Sequence, residues 1–210
     1  MAVLLHNQLT GASEKVSEGA GVRIGPGGVG RDESLKELLT LVLAYLEIPE
    51  RTLASGAEAA EVVISPKRPA PKSARIWLRA APLEKGDASG APPGEFSRRK
   101  IGPEDLRWLN LRTHYRAPLV FSWQALESAR GERVSLVESG RALLALGRTA
   151  GNPTGIHAYR RRFSAALEND LDAPGALAAL WDGLRPGALS PGSRLELLRS
   201  ADCAFKIGIF

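Results

Sequence analysis

Apolar residues recur at helical spacing through most of the second half of the chain, and polar capping residues punctuate them. Ser122 is an N-cap residue, and after it Leu126, Val134, Val137 and Leu144 fall on one face of a long helix that Gly147 would close. Ile156, Tyr159, Phe163 and Leu167 form a second stripe over about 155–171. Asp172 caps a third helix with Leu177, Leu180, Trp181 and Leu184 on its apolar face, and Ser190-Pro191 opens a fourth carrying Leu195, Leu198 and Phe205. Upstream of these, Pro103 suits a first helical position, and the helix it starts runs to about Tyr115, ending before Pro118 restricts Ala117. Such stripes can be buried only against one another, which predicts a four- or five-helix bundle over residues 103–210.

The first 102 residues follow a different rhythm. Ser34-x-x-Glu37 reads as a capping box opening a helix to about Glu47, apolar around most of its circumference between Leu38 and Leu46. A helix so covered needs a sheet on one side. Gly21–Ile24, Ala60–Ser65 and Arg75–Arg79 are the strand candidates, while Ser65–Pro71 and Lys85–Gly94 are Pro- and Gly-rich loops. The expected fold class is α/β plus all-α, a thin α/β layer over 1–102 followed by the bundle.

With 210 residues, 44% hydrophobic and 24% charged, the composition is that of a globular protein, which excludes disorder and fibres. No run approaches the ~20 apolar residues that cross a bilayer, and residues 1–10 lack the basic and apolar segments of a secretory signal. A cytoplasmic chain without a membrane partner is expected. Cys203 is the one cysteine, and His6, His114 and His157 have no ligand spacing, so no metal is expected. Cys203 falls in the apolar-periodic last helix and is expected to be buried and inert. His114 has no nucleophile or carboxylate beside it in sequence and is expected to be a hydrogen-bonded packing residue.

Charge changes the picture locally. The net charge is +5 and the pI about 9.7, split almost evenly between the two halves. Between Glu61 and Glu84, however, Lys67, Arg68, Lys72, Arg75 and Arg79 run without an intervening acid. On a strand, Arg75, Trp77 and Arg79 share one face, so these cations with a stacking Trp77, helped by Arg98, Arg99 and Lys100, are the candidate RNA-binding residues. The alternative is that Trp77 is core and the cations keep a sheet edge soluble. Arg160, Arg161 and Arg162 are successive on a helix, point about 100° apart, and are expected to be a solvated face rather than one patch. Gly25, Gly27, Gly28 and Gly30 satisfy G-x-G-x-x-G between a strand and a helix and are the candidate phosphate-binding residues. Pro26 removes one amide donor from that loop, and no acidic residue ends a second strand at the expected distance.

Residues 102–121, GPEDLRWLNLRTHYRAPLVF, with Ser122 next, resemble the entry to the helical domain of cysteinyl-tRNA synthetases, where a "DPEALR…HYR.PL.FS" pattern is usual. Residues 163–185, FSAALENDLDAPGALAALWDGLR, resemble that family's "F..AMDDDFNTP.AL..LF" helix pair. LHNQLT at 5–10 and IWLRAAPLEKG at 76–86 are similar to its opening "LYNTLT" and to its "LWK..K.GE" strand and turn. The resemblance implies a shrunken Rossmann-like layer, a remnant of a catalytic domain, ahead of the bundle. It also implies a loss. The family binds zinc and ATP through "CGPTVYD…HIGH" and "KMSKS" segments, whereas residues 24–35 here read IGPGGVGRDESL and only RRKI stands between Ser97 and Gly102. The chain stops after the bundle, so no anticodon-binding domain is expected. The expectation is a catalytically degenerate paralogue without cofactor, acting by binding RNA or a protein partner, with no catalytic residue. The alternative is an ATP-dependent cysteine ligase, joining cysteine to tRNA or to a small amine, with Gly25 to Gly30 on phosphate and Arg98, Arg99 and Lys100 in place of the lost basic loop.

Overall fold

A computed structural model describes residues 3–16, 20–24, 31–48, 50–52, 60–67, 69, 74–146 and 155–210. The chain opens with an antiparallel hairpin of β1 (Leu4–Asn7) and β2 (Ala12–Lys15). β3 (Ala20–Ile24), β4 (Glu50–Thr52), β5 (Ala60–Ile64) and β6 (Ala74–Leu78) then form a four-stranded parallel sheet in the order β4-β3-β5-β6. Three of its strands match the strand candidates of the sequence within a residue or so. β4 is an addition, supplied by the crossover through α1 (Arg31–Tyr45) that returns the chain beside β3.

α1 lies between sheet and bundle. It buries Leu35, Leu39, Val42 and Leu43 and contacts β3, β4 and β5 as well as two later helices, so its apolar circumference is covered on both sides. It begins at Arg31 rather than at the Ser34 box. Asp32 and Glu33 occupy its first turn, where carboxylates complement the helix dipole, and Ser34 is already inside the helix.

β7 (Leu83–Lys85) pairs in parallel with β8 (Leu119–Phe121), a small sheet that the loop-like composition of 85–94 hides. Between these strands lie α2 (Pro93–Arg98) and α3 (Pro103–Leu111). α3 stops four residues short of Tyr115, because residues 112–117 form a turn whose carbonyls are used elsewhere, as described below. α4 (Trp123–Ala145), α5 (Ile156–Glu168), α6 (Ala173–Leu184) and α7 (Pro191–Phe205) complete the bundle. The local caps operate as predicted: Ser122 accepts from the Ala125 amide at 3.2 Å, Asp172 from Gly175 at 2.9 Å and Ser190 from Ser193 at 3.2 Å.

Three packing expectations change. On α4 the buried positions are Leu126, Ala129, Leu136, Val137 and Gly140, while Val134 is half-buried and Leu144 exposed. The fully buried seam reaches Gly140, where Ile209 of the C-terminal tail packs so closely that a Cβ at 140 would collide with Ile209 Cγ2, and beyond it Leu143 is only partly buried. Gly147 lies outside the described residues. α5 ends at Glu168 because Asp170 and Leu171 turn out of the helix with φ of 56° and 53°. Cys203 is exposed, since α7 buries Leu197, Leu198, Ala201, Ala204 and Phe205, and residue 203 points away from that stripe. All the buried hydrophobic residues but Val63 form one cluster running from Val3 in the hairpin to Ile209 in the tail.

Candidate nucleic-acid interface

The parallel sheet reads 2-1-3-4 in sequence order, so the chain reverses its winding between β3 and β5. Beyond the carboxyl ends of such a pair of strands lies the ligand crevice of open α/β sheets. Gly25, Gly27, Gly28 and Gly30 lie outside the described residues. The side chains that follow them are described, and they are unusual. Arg31 is buried and its guanidinium donates to four main-chain carbonyls: Ala81 at 3.1 Å, Ala117 at 2.5 Å, Thr113 at 3.4 Å and His114 at 3.1 Å. Burial lowers its pKa from the usual arginine value, yet the four acceptors match the planar fork and keep it a donor.

Asp32 is buried, with a relative exposure of 7%, and its Oδ1 has no hydrogen-bond partner. Desolvation pushes its pKa above the usual carboxylate range, partly offset by the Ala80 amide and the Arg79 charge. A carboxyl whose folded pKa exceeds its unfolded one favours folding while protonated, and its ionisation lowers stability as pH rises through the folded value. Asp32→Asn is therefore expected to raise the denaturant midpoint at pH 7.5 and to leave it nearly unchanged at acid pH, where the carboxyl is protonated in both folded and unfolded states. A lower midpoint at pH 7.5 would show that the ionised carboxylate is stabilising.

A second buried polar centre joins three segments. Asp170, 6% exposed, accepts from the His6 amide at 2.7 Å and from the Tyr115 hydroxyl at 2.5 Å through Oδ1. Its Oδ2 stands 2.9 Å from Arg116 Nη2, an ion pair without an aligned hydrogen bond. Burial and the hydrogen bond to Asp170 push the Tyr115 pKa well up, so the hydroxyl stays a donor. His114 stacks on Tyr115 with ring centroids 4.8 Å apart and has Nε2 3.1 Å from the Asp170 carbonyl, which is the packing role expected for it. The Asp170 amide also donates to the Leu4 carbonyl at 2.7 Å. The HYR triplet at 114–116 and the NDLD turn at 169–172 thus meet in space and hold the N-terminal hairpin, a junction that sequence spacing does not reveal.

Among the candidate RNA-binding residues, Arg68 and Lys72 lie outside the described residues, and Lys67 is exposed just past β5. Arg75, Trp77 and Arg79 share the outward face of β6 and its end, with Ile76 and Leu78 buried opposite. Arg75 is tied to the hairpin, 3.3 Å from Glu14 and donating to the Lys15 carbonyl at 2.6 Å. Trp77 is half-buried; its indole N–H donates to the Ser65 carbonyl at 3.0 Å, and its main-chain amide donates to Asn7 Oδ1 at 3.0 Å. Arg79 is exposed at the carboxyl end of the sheet. Arg98, Arg99 and Lys100 belong to another surface, because α2 packs through Phe96 against Phe121 and Trp123. There Arg98 pairs with Glu95 at 2.7 Å, and Arg99 pairs with Glu95 at 3.0 Å and Glu127 at 2.7 Å while lying 4.4 Å over Trp123. Lys100 is exposed.

Arg160, Arg161 and Arg162 are all exposed, the solvated face expected of them, and Arg162 pairs with Asp182 at 2.8 Å. Arg160 and Arg161 line one groove of about 580 Å³ with His157, Ser164 and Tyr45, because long side chains can reach back across the angle that separates their Cβ atoms. No cluster of three or more His, Cys, Asp or Glu that could hold a metal occurs among the described residues. Among the described residues no helix is long and apolar enough to cross a membrane.

A parallel sheet of this order, with α1 against it and a helical bundle behind, is a mixed α/β and all-α protein compatible with a Rossmann-like layout. The cysteine–tRNA ligase of Thermus thermophilus is 36% identical over 110 residues, 49% of this chain and 23% of that protein. That of Treponema pallidum is 33% identical over 129 residues, 53% of this chain and 25% of that protein. That of Thioalkalivibrio sulfidiphilus is 39% identical over 79 residues, 38% and 16% of the two chains. The chain is related to the cysteinyl-tRNA synthetase family, and its matches span about a quarter or less of the length of these relatives. No family model matches it.

Proposed function

We propose that this chain is a catalytically inactive relative of the cysteinyl-tRNA synthetases that works in the cytoplasm by binding a structured, tRNA-like RNA. The observation that carries this reading is the state of the α1 N-terminus. Forming an adenylate needs donors and cations around the phosphates. Here Arg31 is committed to four carbonyls, and the next side chain, Asp32, is a buried carboxylate that would repel phosphate. In the segment at 98–101, Arg98 and Arg99 are ion-paired, which leaves Lys100 as its one cation without a carboxylate among the described residues.

RNA is favoured over a protein partner by the basic balance, by Lys67, Arg79 and Lys100, which have no carboxylate at ion-pair distance among the described residues, and by relatives whose names specify tRNA. The ligase reading keeps one point in its favour, the strand-order reversal beside a glycine-rich segment. The two separate in one pair of assays. Cysteine-dependent ATP–pyrophosphate exchange is expected to stay at background and elemental analysis to find no stoichiometric zinc, while a tRNA transcript is retained with an affinity that falls steeply with salt. Exchange that rises with cysteine and disappears in the Arg98→Ala/Arg99→Ala/Lys100→Ala variant would overturn the inactive reading. Absence of RNA binding at low salt would overturn the RNA reading.

A further inference from the structure

We propose that the groove between the end of α1 and α5 binds the phosphodiester backbone of that RNA, with Arg160 and Arg161 as its cationic wall and His157 beside them; this rests on the RNA-binding reading above. His157, Arg160, Arg161 and Ser164 stand at i, i+3, i+4 and i+7, one continuous stripe of α5, while Ile156, Phe163 and Leu167 on the other side fill the core. Among the described residues neither Arg160 nor Arg161 has a carboxylate at ion-pair distance, whereas the neighbouring Arg162, Arg185 and Arg199 are all paired. Two adjacent guanidinium groups with no carboxylate paired to them are free to meet phosphate.

The local field supports them. Gly155, the N-cap of α5, offers no side chain to the first-turn amides, so the positive end of the helix dipole adds to the His157 end of the groove. Two acids, Glu47 and Glu168, also line the groove. Neither of them comes within ion-pair distance of Arg160 or Arg161. Tyr45 supplies an aromatic rim, its ring edge-on to Phe163 at 5.7 Å and its hydroxyl 3.3 Å from Ser164 Oγ. Cations beside an aromatic wall in a groove of about 580 Å³ fit a nucleotide-sized unit of an RNA strand.

The test is filter binding of a tRNA transcript to the full chain between about 50 and 200 mM salt. Arg160→Gln/Arg161→Gln is expected to weaken binding at least tenfold at the low-salt end and to reduce the log–log salt slope by about 1.5. Arg162→Gln, which removes the same kind of charge one position away, should change affinity less than about twofold. If the parent binds no RNA, the RNA reading itself fails. If the parent binds and the double variant keeps both affinity and slope, the groove inference falls and the RNA reading stands on the β6 cations. An Arg162→Gln loss as large as that of the double variant would trace the effect to net charge and overturn the groove. A native protein complex lost in the double variant, with no RNA bound by the parent, would assign the groove to a protein and overturn it as well.

Discussion

Asp170→Ala is expected to lower the unfolding free energy by about 3–5 kcal/mol, the range for breaking a buried charged centre by removing one partner. The change strands the Tyr115 hydroxyl and the His6 amide, which now share Oδ1, and leaves Arg116 without its carboxylate. Each buried donor left without an acceptor costs about 1–3 kcal/mol, so the two hydrogen bonds alone account for most of the loss. Backbone strain gives an internal control. Asp170 has φ of 56°, a left-handed conformation that costs an ordinary residue roughly 1–2 kcal/mol and glycine nothing. Asp170→Gly should therefore be less destabilising than Asp170→Ala by about 1 kcal/mol although it removes the same carboxylate. Tyr115→Phe should cost less than either, about 1–2 kcal/mol. Urea titrations of the three variants check the order, and a loss below about 1 kcal/mol in Asp170→Ala would mean that water replaces the carboxylate.

The parts of this fold that are readable in the sequence are those decided by neighbours in the chain. Ser122, Asp172 and Ser190 cap their own helices within three residues, and the β-branched run at 62–64 and the alternation in 74–78 mark strands whose apolar positions, among them Val62, Val63, Ile64, Ile76 and Leu78, must be buried. What is not readable depends on segments far apart. β4 is three residues without an apolar pattern and exists because a parallel partner, β3, is brought beside it. On α4 the apolar stripe carries the expected seam to Leu144, which is exposed, while Gly140 and the partly buried Leu143 face the core and Gly140 is covered by a residue of the distant C-terminal tail. The candidate site divides the same way. That Arg75, Trp77 and Arg79 share a face follows from strand geometry, whereas the capture of Arg75 by Glu14 and the covering of the β6 edge by Asn7 follow from a hairpin that carries no strong strand signal. The Cβ directions of Arg160 and Arg161 set them apart on the helix, but side-chain length decides where a guanidinium ends up.

Arg31 is the extreme case of a residue whose role is set from afar, and its replacement should be nearly as damaging as that of Asp170. The guanidinium ties the first turn of α1 to the linker after β6, through Ala81, and to the turn after α3, through Thr113, His114 and Ala117. Those carbonyls lie 50 to 86 positions along the chain, and without Arg31 they must find water or other donors. Hydrogen bonds to a charged donor contribute about 1.5–3 kcal/mol each when aligned, but the released carbonyls can be partly rehydrated, so Arg31→Met is expected to cost about 3–4 kcal/mol rather than the sum. Arg31→Lys keeps the charge but replaces a planar fork by a single ammonium that cannot span acceptors on two segments, and it should recover less than half of the loss. The distinguishing readout is local. Amide hydrogen exchange in Arg31→Met should accelerate in residues 112–117 and in the first turn of α1 well before it does in α6 and α7, whose caps are their own. Uniform acceleration across the bundle would instead make Arg31 a contributor to global stability only. Retained protection at 112–117 would show that the turn holds itself, through His114 and Tyr115 on Asp170, and that the α1 entrance can be cut loose from the helical half.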